Sequence, residues 1–227
     1  MPLILAIETA TKLCSVALAR DGIVLALREE ESDRHTHAER VNVFVQEVMA
    51  EAGPALPDLD AVAVGIGPGS YTGLRIGLSA AKGLCYALDK PLIGLSTLGT
   101  LTRSALDVGA TGPQLWPMID ARRMEVFTQA FDGEGLATGQ AMPLVLNEEW
   151  AAAAQGRMVF GDGADKAASL WEGRAGITFV RGIRPSAVAM FTEAGRRFST
   201  KSFDDLAYLV PEYGKAANVT QPKKSRP

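Results

Sequence analysis

Cysteine is scarce in this sequence, and long apolar runs are missing. The chain has 227 residues and only two cysteines, Cys14 and Cys85. Two cysteines are too few for a secreted fold held together by disulfide bonds. Because each lies in an apolar run, we expect both to be buried thiols in a reducing compartment. No stretch reaches the roughly 18 apolar residues of a membrane span, and the opening MPLILAIET lacks the basic segment of a secretory signal. We therefore expect a cytoplasmic protein with no membrane contact.

The sequence also lacks an excess of positive charge and has few histidines. With 23 Lys and Arg against 26 Asp and Glu, the formal net charge is −3, so RNA contact is expected to need the basic surface of a partner. The histidines are His35 and His37, which diverge by about 200° on a helix but share a face in an extended segment. A zinc site would need a third ligand, so we expect an exposed or helix-capping pair.

Hydrophobic patterning predicts an α/β fold with an internal duplication of a strand–strand–strand–helix–strand unit. Predicted strands are 3–7, 14–20, 23–27, 61–66, 92–95, 115–119, 125–131, 135–144 and 158–160, and predicted helices are 37–52, 74–88, 148–154 and one from Ser96. Asp-Gly dipeptides at 21–22 and 132–133 predict the same hairpin turn in both halves. We assign two lobes, 1–106 and 107–204, and expect the tail, 205–227, to pack loosely.

The segment from Gly65 to Gly77 places glycines between a predicted strand and a predicted helix, as a phosphate-binding loop does. However, Leu74 follows Gly73 where a Walker loop needs Lys, and Ser70 stands where the dinucleotide motif needs Gly or Ala. The pattern favours a structural turn, with a phosphate site as the alternative.

Small residues recur at every fourth position of the predicted helix 74–88 and just before it. Gly73, Gly77, Ala81 and Cys85 form this small-residue stripe, which allows another element to approach closely. The stripe packs either on the protein's own sheet or on a partner subunit. Val43 and Met49 beside the apolar face of the neighbouring helix favour the partner.

Carboxylates end the first strand of each half, where a two-lobed phosphotransferase places its metal-binding and catalytic acids. Glu8 and Asp120 are these residues, and Thr9 follows the first. The next loops contain no glycine, and the second carries Arg122, Arg123 and Met124. Bulky side chains there argue against a backbone phosphate cradle, so Glu8, Thr9 and Asp120 remain weak cofactor-binding candidates, and no catalytic or metal-binding residue is assigned.

Four segments resemble the TsaB (YeaZ) family, the dimerisation subunit of the bacterial tRNA threonylcarbamoyladenosine machinery. They read LAIETATKLCSVAL, GIGPGSYTGLRIG, KPLIGLSTL and MIDARRMEVF. The resemblance implies a two-lobed actin-like ATPase (ASKHA) superfold with a degenerate nucleotide site. The related catalytic subunit, TsaD, carries a metal-binding His-x-x-x-His where this chain has Thr97 and Leu101, so the resemblance implies no catalysis here. Near the end, Pro211-Glu-Tyr213-Gly-Lys215 replaces the family's Pro-x-Tyr-x-Arg.

The resemblance also implies a set of partners. A TsaD-type catalytic subunit and a TsaE-type ATPase subunit would carry the metal ion and ATP, with a homodimer forming in their absence and tRNA bound through the complex. The predicted interface residues are His37, Val41, Val45, Gly73, Arg75, Gly77 and Ala81. The alternative is a small ATP-dependent kinase or hydrolase of the same superfold that uses Glu8 and Asp120. Direct tRNA contact through Arg122, Arg123, Lys223, Lys224 or Arg226 stays open.

Overall fold

The computed structural model describes residues 2–32 and 37–215. His35 and the cations Lys223, Lys224 and Arg226 therefore lie outside the described residues. The first lobe contains, in chain order, β1 (Leu3–Glu8), β2 (Leu13–Arg20), β3 (Ile23–Glu31), α1 (His37–Ala52), a 3₁₀ turn (Leu56–Asp58), β4 (Ala61–Gly67), α2 (Tyr71–Leu88), β5 (Leu92–Ser96) and α3 (Thr97–Asp107).

The second lobe follows without a long linker. It contains β6 (Gln114–Asp120), β7 (Glu125–Thr128), β8 (Phe131–Asp132), β9 (Met142–Val145), α4 (Glu148–Ala152), β10 (Arg157–Phe160), α5 (Asp162–Lys166), α6 (Ala168–Trp171) and β11 (Ile177–Val180). A 3₁₀ turn (Ala187–Met190) and α7 (Phe191–Ser199) come last. No helix in the described ranges is long and apolar enough to cross a membrane.

The two sheets have equivalent strand orders, which confirms the predicted duplication. The first sheet runs β3-β2-β1-β4-β5, and the second runs β9-β7-β6-β10-β11 with β8 also paired to β6. β1 pairs antiparallel to β2 and parallel to β4, and β6 likewise pairs antiparallel to β7 and parallel to β10. The first hairpin turns at Asp21 and Gly22, whose φ angles of 55° and 77° suit a two-residue type I′ turn.

The second hairpin departs from the predicted strands 125–131 and 135–144. β7 ends at Thr128, and Phe131 returns to pair with Leu115 at the start of β6. The Asp132 carboxylate accepts hydrogen bonds from the backbone N–H groups of Glu134 and Leu136, so the chain turns through 132–136 instead of extending. β9 consequently begins only at Met142.

The chain returns to the first lobe earlier than the predicted boundary at 204. Met190, Phe191 and Ala194 pack with Ile4 and Ile93 on the face of the first sheet away from α1 and α2. Residues 187–199 therefore belong to the core of the first lobe, because their apolar side chains cover that face.

The described part of the tail, up to residue 215, is also packed, in contrast to the loose packing predicted for 205–227 from its composition. Asp204 N donates to the Leu92 carbonyl oxygen at 2.9 Å, and Glu212 N donates to the Ile66 carbonyl oxygen at 2.7 Å. Leu209 packs against the first hydrophobic core. Residues 204–215, which we call the strap, thus run from the amino end of β5 to the carboxyl end of β4.

Candidate functional site

The glycine-rich segment between β4 and α2 closes on the loop that follows β1. A Cβ atom at Gly65 would lie under 3.0 Å from the Glu8 carboxylate, and one at Gly69 would lie equally close to the Ala10 carbonyl oxygen. Ser70 N donates to that same oxygen at 2.7 Å. These glycines allow backbone to approach backbone, which supports the structural turn that the sequence favours.

Thr9 and His37 hold the loop in place. The Thr9 hydroxyl donates to the Gly73 carbonyl oxygen at 2.8 Å. His37, at the start of α1, lies 2.7 Å through Nε2 from the Thr11 carbonyl oxygen, so the Nε2–H tautomer donates there. Both side chains are buried. His37 therefore fixes the loop from inside the lobe.

Glu8 is buried completely, at 0% exposure. Its Oε1 accepts a hydrogen bond from Ala10 N at 2.8 Å, whereas Oε2 and the nearby Thr97 hydroxyl have no partner among the described residues. Burial raises the pKa of Glu8 from 4.5 to about 7, against the backbone N–H groups of Ala10 and Thr9, which lower it. A carboxyl group enclosed in this way does not reach a metal ion or a phosphate in solvent.

Asp120 makes hydrogen bonds with other residues of the second lobe. Its carboxylate accepts from Lys166 Nζ and, at 2.7 Å, from Arg122 N. Its backbone N–H donates to the Asp162 carboxylate at 3.0 Å. Burial raises the pKa of Asp162, and the neighbouring Asp120 charge acts in the same direction. Asp120 and Asp162 thus position the turn after β6.

In the turn after β6, bulky side chains occupy the positions at which a phosphate-binding loop would present backbone N–H groups. Arg122 and Arg123 have φ angles of 70° and 50°, a left-handed conformation that costs a non-glycine residue roughly 1–2 kcal/mol. Both side chains are exposed. The residues that follow β1 and β6 therefore do not fit a nucleotide bound through backbone N–H groups.

Neither position of the metal-binding pair carries a histidine in this chain. Thr97 is buried beside Glu8, and Leu101 belongs to the second lobe's hydrophobic core. Within residues 2–32 and 37–215, no three His, Cys, Asp or Glu side chains form a group that could hold a metal ion.

Known proteins match the chain over most of its length. A family model described as "TsaD: tRNA N6-adenosine threonylcarbamoyltransferase" matches residues 29–210. The Escherichia coli "tRNA threonylcarbamoyladenosine biosynthesis protein TsaB" is 36% identical over 206 residues, covering 84% of this chain and 87% of that protein. The chain belongs to the TsaB family of tRNA threonylcarbamoyladenosine biosynthesis proteins. The Bacillus subtilis TsaB protein is 33% identical over 140 residues, covering 62% of this chain and 59% of that protein.

Solved structures agree with this family and with the expected superfold. A Pseudomonas aeruginosa protein described as uncharacterized, with similarity to peptidase YeaZ, superposes with a TM-score of 0.80 at 29% identity, covering 95% of this chain and 100% of that chain. The Clostridium difficile activator of 2-hydroxyisocaproyl-CoA dehydratase, with bound ADPNP, has a TM-score of 0.51 at 9% identity and covers 89% of this chain and 98% of that chain. At this identity the match shows a shared fold alone. The two-lobed actin-like ATPase fold is thus confirmed.

Most of the interface residues predicted for this TsaB-family chain are buried inside its own first lobe. They are His37, Val41, Val45, Gly73, Gly77 and Ala81. A Cβ atom at Gly73 or Gly77 would lie under 3.0 Å from Thr9. The small-residue stripe therefore packs on the protein's own first loop and core, and these six residues are covered by the chain itself. Arg75 is exposed.

The outer face of the α1–α2 pair combines Val43 and Arg75, which the sequence analysis named, with other exposed residues that it did not name. The two helices pack side by side, and Tyr86 is 83% exposed and Val43 38% exposed on this face. The exposed positions, which we call the helix face, are Asn42, Val43, Gln46, Ala50, Arg75, Ser79, Gly83, Tyr86 and Ala87. In α2 the exposed small residues Ser79, Gly83 and Ala87 recur at every fourth position. The buried small-residue stripe has the same spacing, so the sequence pattern did not show which of these two lines of residues is exposed.

Proposed function

We propose that this chain is a non-catalytic partner subunit that binds and activates a TsaD-type catalytic subunit through the helix face. The observation that carries the proposal is the exposure of Tyr86 and Val43 on a helix pair whose other side is fully packed. Exposed aromatic and aliphatic side chains of this kind mark protein–protein contacts. Gly83, with no heavy atom within 4 Å of an added Cβ, leaves room for a partner helix.

The proposed activity of the complex is threonylcarbamoyl transfer from its adenylate to the adenosine beside the anticodon. The TsaD-type subunit supplies the metal site, a TsaE-type subunit binds ATP, and tRNA is held by the assembled complex in the cytoplasm. A net charge of −3 supports this division, since the chain itself has little attraction for RNA. Without its partner, the chain pairs with a second copy through the same helix face.

The test compares one charge placed on the helix face with the same charge elsewhere. Val43→Asp should abolish binding to the TsaD-type subunit and remove threonylcarbamoyladenosine from tRNA in cells that depend on this chain, as nucleoside mass spectrometry would show. Val145→Asp, at a more exposed position on β9 of the second lobe, is the matched control and should behave as wild type. Equal complementation by both variants, with unchanged melting temperatures, would contradict the proposal.

Activity assays on the purified wild-type chain test the alternative function, a small ATP-dependent kinase or hydrolase. The purified chain should turn over no ATP and cleave no peptide above background. ATP hydrolysis that disappears in both Glu8→Ala and Asp120→Ala would instead place chemistry in this chain.

A further inference from the structure

Arg75 is held in one orientation at the beginning of α2. Its guanidinium lies over the Tyr71 ring, 4.5 Å from the centroid, and its Nε donates to the Tyr213 hydroxyl at 3.2 Å. The two tyrosine rings contact each other with centroids 4.7 Å apart. An exposed arginine normally samples many rotamers, so this double restraint reduces the entropy lost when a ligand binds.

Tyr213 is itself fixed, because the strap is anchored on both sides of it. Glu212 N donates to the Ile66 carbonyl oxygen in the first lobe. Gly214 packs against Phe127 of the second lobe, and a Cβ atom there would lie 2.7 Å from that ring. Lys215 forms an ion pair with Glu125. The strap thus carries Tyr213 to the amino-terminal end of α2 and connects the helix face to the second lobe.

The free atoms of Arg75 define the ligand that it fits. A guanidinium has five N–H donors in a planar fork, and only Nε–H is used. The terminal nitrogens have no hydrogen-bond or ion-pair partner within residues 2–32 and 37–215. Two parallel N–H groups match the two oxygens of a carboxylate, and the N-terminal end of an 18-residue helix favours the same negative charge.

We propose that Arg75, oriented by Tyr71 and Tyr213, is a bidentate clamp for an Asp or Glu side chain of the catalytic subunit; this rests on the proposed function. Arg75 lies in line with Ser79, Gly83 and Ala87 on the helix face, so a protein docked there reaches it directly. A protein carboxylate is favoured over an RNA phosphate because the exposed residues in line with Arg75 on α2, Ser79, Gly83 and Ala87, are small and uncharged, whereas RNA sites gather several cations. Tyr213 acts as a positioning residue.

The experiment measures the affinity of the purified full-length chain for the TsaD-type subunit by calorimetry at two salt concentrations. Arg75→Lys keeps the charge but loses the planar fork, and Arg75→Gln loses both. Each should weaken binding about 10- to 100-fold, with unchanged melting temperature because the side chain is exposed. Arg20→Gln is the matched control, since Arg20 pairs with Leu3 at the opposite end of the first sheet, and should bind as wild type.

Tyr213→Phe tests the positioning role, because the ring stays and only the hydroxyl is lost. It should weaken binding about 3- to 10-fold alone and cause no further loss in the Arg75→Gln background, since Tyr213 would act only through Arg75. A purely structural role would give the same additional loss in both backgrounds, and that result would overturn the positioning claim.

Three outcomes would overturn the clamp. Wild-type affinity in Arg75→Lys and Arg75→Gln would show that the fork contacts nothing in the complex, with the proposed function intact. Loss of tRNA affinity in these variants with unchanged affinity for the catalytic subunit would assign Arg75 to a phosphate. No binding of the wild-type chain to the catalytic subunit would overturn both proposals.

Discussion

The packing of α2 on the first loop predicts that one glycine in this helix resists substitution while another accepts it. A Cβ atom at Gly73 would lie under 3.0 Å from the carbonyl oxygen of Thr9, a backbone atom that cannot rotate away. At Gly83, ten residues along the same helix, an added Cβ meets nothing within 4 Å. Gly73→Ala and Gly83→Ala therefore add the same methyl group to the same helix in opposite surroundings.

The two variants should change stability in opposite directions. Alanine in place of a helical glycine normally stabilises by about 0.5–1 kcal/mol, which is the gain expected for Gly83→Ala. At Gly73 the loop must move, and overpacking of this kind costs about 1–3 kcal/mol, so after the helix gain we expect a net loss of about 1 kcal/mol. For a chain of this size, each kcal/mol shifts the melting temperature by about 2–4 °C.

Denaturant unfolding and a thermal melt of the two purified variants test this reasoning. Gly73→Ala should melt about 2–4 °C below wild type, and Gly83→Ala should melt about 1–4 °C above it. If Gly73→Ala were as stable as Gly83→Ala but failed to bind its partner, the stripe would face outward, and the close contact between α2 and the first loop would be refuted.

Three further predictions follow from buried or constrained groups. Burial raises the pKa of Glu8 from 4.5 to about 7, so the wild-type protein loses stability as the pH rises from 4.5 through 7. Glu8→Gln cannot ionise and should avoid this loss. In denaturant titrations, the free energy of unfolding of Glu8→Gln relative to wild type should therefore increase by about 3 kcal/mol between pH 4 and pH 8. Gly214→Ala, with φ of 68° and the Phe127 ring 2.7 Å away, should lower the free energy of unfolding by at least about 1 kcal/mol in a denaturant titration. Burial raises the pKa of the Cys14 thiol to about 12 and that of Cys85 to about 11, so a disulfide reagent at pH 8 should label both only after unfolding; labelling of the native protein would contradict their burial.

The candidate site was predicted in part. The glycines between β4 and α2 lie against the first loop, as the structural turn favoured by the sequence requires, and the absence of nucleotide binding stays a prediction. The burial of Glu8 was not predicted, because it depends on Gly65 lying against its carboxylate from the neighbouring strand. The packing of the strap was missed for a similar reason. The composition of the tail, 205–227, with Pro, Lys and Asn, predicts loose packing, whereas residues 204–215 are held by contacts with β4, β5 and Phe127.

The sequence by itself determined the local elements and their duplicated order. Apolar periodicity and Asp-Gly turns act over a few residues, so α1 was predicted at the observed bounds, His37–Ala52, and the paired lobes could be recognised. Only the tertiary structure decided which face of α2 is internal. Gly77 and Gly83 are both small residues on one helix, and what separates them is that Thr9, far away in sequence, lies against the first and nothing lies against the second. Burial of this kind is a property of long-range packing, which local spacing does not contain.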